Sequence, residues 1–550
     1  MELAGQNRPP YAGLKRALRW TAWTIGVVCI LANLSILSRA PIPWIDEVYL
    51  ASVANSIAHD SEGVERLSPR PEWVDGYEKV YGPVFFQVES VFIKHFGLSP
   101  FTGRATAWLG AILLAAAAAY LVGIVGASPE WPAIAFALFT LTPEFSLVAR
   151  NGRMDSIAIA FELIGLAFLL IATQERRRAW LTAAAAGFFW ALAVLTTPRT
   201  LPLLAGMFVA APVLLVPPET RRAFARAIAV LAGSVLIGLA LWSHSEGITI
   251  VGWAVRLWDS VKDDAYNIVL PGHPRYWSLG PLTAVTPAVV IAGAIVLGAV
   301  GDLQLLARLH RARLPTEAPP SAVRLAIWYL FVAAFFNGVF YLIVANYAFG
   351  ISQYFVIPMF VVVLAAAAAT AHRRPRAYWP MMAGSLVVAL GFGAIQTVKL
   401  VEVWQTWSGR DARLMEQFLE RSVPRGSIVY GFDEYYFYAV EEVGSTFRTF
   451  NLTHSGLNHL MVDLPPPAAE PQRSPAFLLW PVDNPNAPFP EWFNCARSNE
   501  ITKFDADVQA VGIERWLPGL FQSYRHGYPP TVLYRVPEGC PTARPVVAPF

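Results

Sequence analysis

The sequence predicts a mainly α-helical, polytopic membrane protein that ends in a small extracytoplasmic α/β domain. Composition comes first: of 550 residues 55% are hydrophobic and only 15% charged, with a mean hydropathy of +0.43, whereas soluble domains run near a quarter charged. Apolar runs long enough to cross a bilayer recur along the first 398 residues. After Lys399 the chain turns proline-rich and polar. The net charge of +3 is carried in short clusters and gives no argument for nucleic acid.

The first run, Trp20–Leu37, follows Arg8, Lys15, Arg16 and Arg19. The sequence after it, Ser38-Arg-Ala-Pro41, lacks the small-residue spacing of a signal-peptide cleavage site, so the run reads as an uncleaved anchor. Further runs are Ala105–Val125, Pro132–Val148, Ile157–Ile171, Trp180–Leu195 and Leu201–Val216, then Ala227–Trp242, Leu282–Val300, Leu325–Ala345, Ile351–Ala371 and Tyr378–Val398. They predict about eleven transmembrane helices.

Tyr81–Phe96 is apolar but carries Gln87, Glu89 and Lys94. Counted as non-spanning, it puts the arginine clusters at 176–178, 221–226, 308–313 and 373–376 on the side of the basic N-terminus. Counted as spanning, it puts all of them on the far side, against the positive-inside rule. The segment is therefore expected to be an interfacial helix in a long first outer loop, 39–103. The N-terminus is then cytoplasmic, and everything after Lys399 extracytoplasmic.

Two domains follow from this parity: a transmembrane catalytic domain, 1–398, and an outer domain, 399–550. In the latter Gly426–Gly431, Ala476–Trp480 and Thr531–Arg535 read as short strands, and Asp411–Arg421 as an amphipathic helix. Cys495 and Cys540 lie in this domain, where an oxidising compartment would let them pair; two free thiols is the other reading.

The polar outliers gather on the outer side. Pro41-Ile-Pro-Trp-Ile-Asp-Glu-Val-Tyr49 places Asp46 and Glu47 where the first helix leaves the bilayer, and carboxylates at that depth pair, bind a cation or do chemistry. The same loop brings Glu78 and Lys79, and the next outer turn brings Arg150, Arg153 and Asp155. Thr197-Pro198-Arg199 caps a helix pair, the Ser243–Gly280 loop carries His244, His273 and Arg275, and Tyr354 opens a late helix. Carboxylates beside several arginines suit a reaction in which a carboxylate accepts a proton while an anionic phosphate leaves. Each also has a bland role: Asp155 at a helix start, Arg199 snorkelling to lipid, the histidines as loop residues.

Trp44-Ile-Asp-Glu-Val-Tyr49 resembles the Asp-Glu motif in the first outer loop of protein O-mannosyltransferases and their bacterial relatives. Tyr77-Glu-Lys-Val-Tyr-Gly-Pro83 is similar to a Glu-Lys segment of the aminoarabinose transferases that modify lipid A. Ala149–Asp155 looks like that superfamily's second acidic motif, and Ser352–Pro358 like its late helix start. The resemblance is to the GT-C class of membrane glycosyltransferases. It implies a polyprenyl-phosphate-linked sugar donor and a lipid, glycan or protein acceptor, met at the outer face of a bacterial inner membrane.

Carried over by that resemblance, Asp46 would be the base that deprotonates the acceptor hydroxyl, with Asp155 assisting in positioning the acceptor or metal. Lys79 would meet the donor phosphate, with Arg199 as a further candidate. Glu78 would help hold a divalent metal (Mg, Mn or Zn) or orient the donor, and one base with direct displacement implies inversion. Beside these, Glu47 orients Asp46 or pairs with an arginine, Arg150, Arg153, Arg275 and Tyr354 are candidate phosphate contacts, and His273 is a candidate metal ligand. Departures stand beside it: Tyr49 replaces an arginine, one proline follows Glu78-Lys79, and Gln353 replaces an arginine. The rival readings are a transporter or flippase of a lipid-linked sugar, and a non-catalytic envelope protein. A transporter would place ionisable groups at mid-membrane, where Glu162 is the main exception to otherwise Ala/Leu/Val-rich spans.

Overall fold

In a computed structural model of the chain, the residues described are 12–40, 43, 45–60, 63, 67, 81–126, 128–174, 179–214, 218–245, 247–255, 257, 331–337, 339–340, 354, 356–373, 375–432, 435–441, 444–449, 474–482, 491–505, 528, 530–538 and 540. Glu78, Lys79, His273 and Arg275 lie outside them, as does most of the expected spans Leu282–Val300 and Leu325–Ala345.

The described helices begin with α1 (Ala12–Ser35), α2 (Ile45–Asp60), α3 (Val84–Phe96) and α4 (Pro100–Gly126). They continue with α5 (Glu130–Leu141), α6 (Pro143–Arg150), α7 (Asp155–Gln174), α8 (Ala179–Thr196), α9 (Leu201–Leu214) and α10 (Pro218–Ser245). After the undescribed stretch come α11 (Ile357–Arg373) and α12 (Pro375–Gln405). Six described helices are long and apolar enough to span a bilayer: α1, α4, α7, α8, α10 and α12. About eleven spans were expected, so the described residues fix a part of that number.

Pro132–Val148, expected as one helix, is two. α5 and α6 meet at a 67° bend. Pro143 bars the residue before it from the helical region, and Thr142 accordingly turns extended at φ −65° and ψ 145°. The break is then used. The Thr142 hydroxyl accepts the Phe145 amide at 3.1 Å as N-cap, and the carbonyl of Thr142 takes a hydrogen bond of 2.8 Å from the Gln396 amide of α12.

α3 covers 13 residues, about 20 Å at 1.5 Å per residue, short of the roughly 30 Å apolar core. Phe85, Phe86, Glu89, Ser90 and Ile93 form its buried stripe at helical spacing, while Val91, Lys94 and Phe96 are exposed. That pattern fits a helix lying against the protein at the interface. The helix ends at Gly97, whose φ of 78° a side chain rarely adopts.

Opposite ends of the bundle are polar in different ways. At one end Glu130 of α5 pairs with Lys15 of α1 at 3.1 Å and accepts the Tyr378 hydroxyl of α12 at 2.9 Å, so three helix starts share one face. The other end carries the first loop, the α6–α7 turn and the C-terminal residues. Between them an Ala-rich core contains Trp131, Phe139, Phe145 and Trp190, all fully buried.

The C-terminal residues form a five-stranded mixed sheet in the order β2-β1-β3-β5-β4, from β1 (Ile428–Gly431), β2 (Thr446–Thr449), β3 (Ala476–Pro481), β4 (Glu500–Phe504) and β5 (Thr531–Val536). β1 runs parallel to both neighbours; β5 is antiparallel to β3 and β4, with Leu479 opposite Leu533. β3, the central strand, is buried along its whole length. α13 (Ala412–Ser422) starts at Asp411, whose carboxylate accepts the Arg413 amide at 3.1 Å, and buries Met415 and Leu419 with the sheet. A short helix α14 (Tyr436–Glu441) follows β1. Cys495 and Cys540 are bridged, with Cα atoms 6.3 Å apart.

Candidate active site

Asp46 and Glu47 fall in the first turn of α2, where the helix dipole favours negative charge. Their partners come from other helices. The turn between α6 and α7 supplies one. There Asn151 accepts the Arg153 amide through its side chain at 3.1 Å, and Gly152 takes φ +63°. A Cβ on Gly152 would stand 2.6 Å from the Glu47 side chain, so only glycine lets this turn lie on α2.

The turn aims Arg153 between two acids. Its Nη1 donates to Asp46 Oδ2 and its Nε to Asp155 Oδ2 at 2.6 Å. Asp155 also accepts the Tyr354 hydroxyl on Oδ1 at 2.5 Å and faces Arg199 Nη1 at 3.9 Å. Arg199 sits in a short 3-10 turn, Pro198–Thr200, capped by the Thr197 hydroxyl, with its guanidinium 6.0 Å from the Tyr81 ring centre. Asp46, Arg153, Asp155, Tyr354 and Arg199 therefore form one cluster. The Asp155 side chain is fully buried and that of Asp46 is 8% exposed, while Arg199 is the most open of the cations at 19%.

Glu47 turns the other way. Arg104 of α4 grips it in a fork, Nε to Oε1 at 2.6 Å and Nη2 to Oε2 at 2.9 Å, and spends Nη1 on the Leu37 carbonyl at 2.7 Å. This pair is wholly buried. Arg104 was not among the expected site residues; its charge at the start of an apolar run was the one signal available. Glu89, on the buried stripe of α3, was noted for its charge but given no role.

Arg150 closes α6 with its Nε on the Ser146 carbonyl at 3.2 Å. His244, near the end of α10, is exposed. Among the described residues no group of three His, Cys, Asp or Glu is placed to hold a metal. Arg153 lies where a cation bridging Asp46 and Asp155 would sit, so these two carboxylates do not fit a divalent ion as arranged.

Two tyrosines from the C-terminal residues reach the same region. Tyr438 of α14 and Tyr528 share a hydrogen bond between their hydroxyls. Burial raises both phenols well above their ordinary range; Arg104 pulls each back, and Glu47 pushes Tyr528 up further.

The family profile described as dolichyl-phosphate-mannose-protein mannosyltransferase matches residues 83–245. That segment holds Glu89, Arg104, Arg153, Asp155 and Arg199, and leaves Asp46 and Tyr354 outside. No curated protein matches the chain in sequence. Among solved structures, ArnT from Cupriavidus metallidurans bound to undecaprenyl phosphate is similar at 13% identity and a TM-score of 0.52, over 94% of this chain and 98% of that one. The same protein in the apo state is similar at 13% identity and 0.52, over 85% and 94%. The Archaeoglobus fulgidus oligosaccharyltransferase tethered with an acceptor peptide gives 12% identity and 0.49, over 84% and 69%. Fold and family segment together give the chain the architecture of the GT-C class of membrane glycosyltransferases.

Proposed function

We propose that the chain moves a sugar from a polyprenyl-phosphate-linked donor to a lipid, glycan or protein hydroxyl at the outer membrane–water boundary. The observation that carries this reading is the Arg153 bridge between Asp46 and Asp155, set among further cations at one end of an apolar bundle. Asp155 is spent on Arg153, Tyr354 and Arg199, which suits it to hold the cluster in place. Asp46, paired with the Arg153 guanidinium and the more exposed of the two acids, is the base.

In the reaction the acceptor oxygen attacks the anomeric carbon as its proton passes to Asp46. The bond from that carbon to the phosphate oxygen breaks, and the lipid phosphate departs as an anion. Arg199, with Lys79 and Arg275, meets the growing charge on the phosphate, where fixed cations in a water-poor site act most strongly. One displacement inverts the anomeric centre; a retaining route would need a second carboxylate placed as nucleophile.

Because Arg153 already bridges the two acids, the reading requires no metal between them; Glu78 and His273 are the residues proposed to hold an ion elsewhere.

The test is transfer from a radiolabelled polyprenyl-phosphate sugar by the purified full chain and by Asp46→Asn. Loss of about a hundredfold or more is expected for a general base, with donor binding retained. Donor binding without turnover in the unmodified protein would favour a transporter or a binding protein instead.

A further inference from the structure

Glu89 is a carboxyl that the proposed reaction does not use. It belongs to the buried stripe of α3, with no exposed surface, and neither oxygen has a hydrogen-bond partner among the described residues. Its surroundings explain why its position is constrained. A Cβ on Gly103 of α4 would lie 3.6 Å from Glu89 Oε1 and 3.2 Å from the Phe437 ring of α14, so α3, α4 and α14 close around the acid. The next residue on α4 is Arg104.

The charged and titratable groups facing it are few. α2 contributes Glu47 and α4 contributes Arg104, whose Nε, Nη1 and Nη2 are all taken by Glu47 and the Leu37 carbonyl. α8, the other helix packed on α3, has no ionisable side chain in its whole length. α14 contributes the Tyr438 hydroxyl, bonded to Tyr528, and Glu441, which lies by Gly97 at the far end of α3. On α3 itself Lys94 and His95 point to solvent. Without Glu89, three carboxylates (Asp46, Glu47, Asp155) face three guanidinium groups (Arg104, Arg153, Arg199). A fourth negative charge would compete with Glu47 for Arg104.

We propose that Glu89 is a positioning residue that works as a neutral carboxylic acid, its lack of charge reserving Arg104 for Glu47 and so holding Asp46 in place. The proposal rests on the transferase reading for its effect on turnover, and on the fold alone for the state of the acid. Burial first, and then the neighbouring Glu47 charge, push this carboxyl well above the usual range. A raised value means the neutral form persists to higher pH than it does for an ordinary carboxyl.

Two measurements on the full-length protein in detergent test it. Infrared difference spectroscopy across neutral pH should show a protonated-carboxyl band that loses one component in Glu89→Gln; an unchanged band overturns the proposal. Glu89→Gln should keep transfer within about threefold of the unmodified protein, rather than the hundredfold loss of a missing base, and should lack any fall in transfer that accompanies ionisation of Glu89 in the unmodified protein. A folded Glu89→Gln that is inactive at every pH would show that the charge is needed, and overturns it. Glu89→Lys, which introduces a cation against Arg104, should lose activity while Gln retains it; equal activity in both overturns the positioning role. If the unmodified chain transfers no sugar, the transferase reading fails, and the infrared band still decides the state of Glu89.

Discussion

Arg104 holds Glu47 by both edges of its guanidinium, at 2.6 and 2.9 Å, with neither side chain reaching solvent. Breaking one partner of such a pair strands the other charge, at ~3–5 kcal/mol. Arg104→Met or Glu47→Gln alone should therefore lower the unfolding midpoint sharply. The double substitution should recover most of the loss, as a thermal double-mutant cycle in detergent would show. Equal, additive losses would mean the fork contributes little.

Gly152 takes φ +63°, and a Cβ there would stand 2.6 Å from Glu47 Cγ. Gly152→Ala should cost about 1–3 kcal/mol in backbone strain alone. Because the turn aims Arg153, turnover should fall further than stability does. Comparing transfer rate with the unfolding midpoint checks this.

The Tyr354 hydroxyl donates to Asp155 at 2.5 Å. A hydrogen bond to a charged group is worth about 1.5–3 kcal/mol, so Tyr354→Phe should reduce transfer by roughly tenfold or more. The loss should appear in kcat, with KM for the donor little changed, since Asp155 would still hold Arg153. A change confined to KM would make Tyr354 a donor contact instead.

The Cys495–Cys540 bridge closes a separation of 45 residues. In the chain-entropy account a loop of that size is worth ~4 kcal/mol. Reduction, or Cys495→Ser with Cys540→Ser, should lower the midpoint of the C-terminal residues, read by tryptophan fluorescence. At low temperature transfer should persist, because Cys540 packs with Ala476, Leu478 and Val536 of the sheet.

Much of the site was legible because a charge in an apolar chain is conspicuous. Asp46, Glu47, Arg153, Asp155 and Arg199 all stand at the ends of apolar runs, and the parity of those runs put them on one side. Partnership was not legible. That Glu47 belongs to Arg104 and Asp46 to Arg153 depends on helix packing across 57 and 107 residues of sequence. The bend at Thr142 was available from Pro143, but hydropathy averages over a single proline. In the C-terminal sheet the strands foreseen were β1, β3 and β5, which sit inside the strand order. β2 and β4 are the two edges; with only one neighbour each, they carry less of the apolar signature, and β4 is largely exposed.

The hydroxyl contact between Tyr438 and Tyr528 links residues 90 apart, beside the Glu47–Arg104 fork. The C-terminal residues thereby stand against the Glu47–Arg104 pair and are not a passenger on a tether. Transplanting these residues from a protein of similar fold would demand that the graft deliver two phenols to the same place. Chimeras exchanged at the end of α12 would keep the helices of this chain yet lose the two phenols that stand against Glu47 and Arg104.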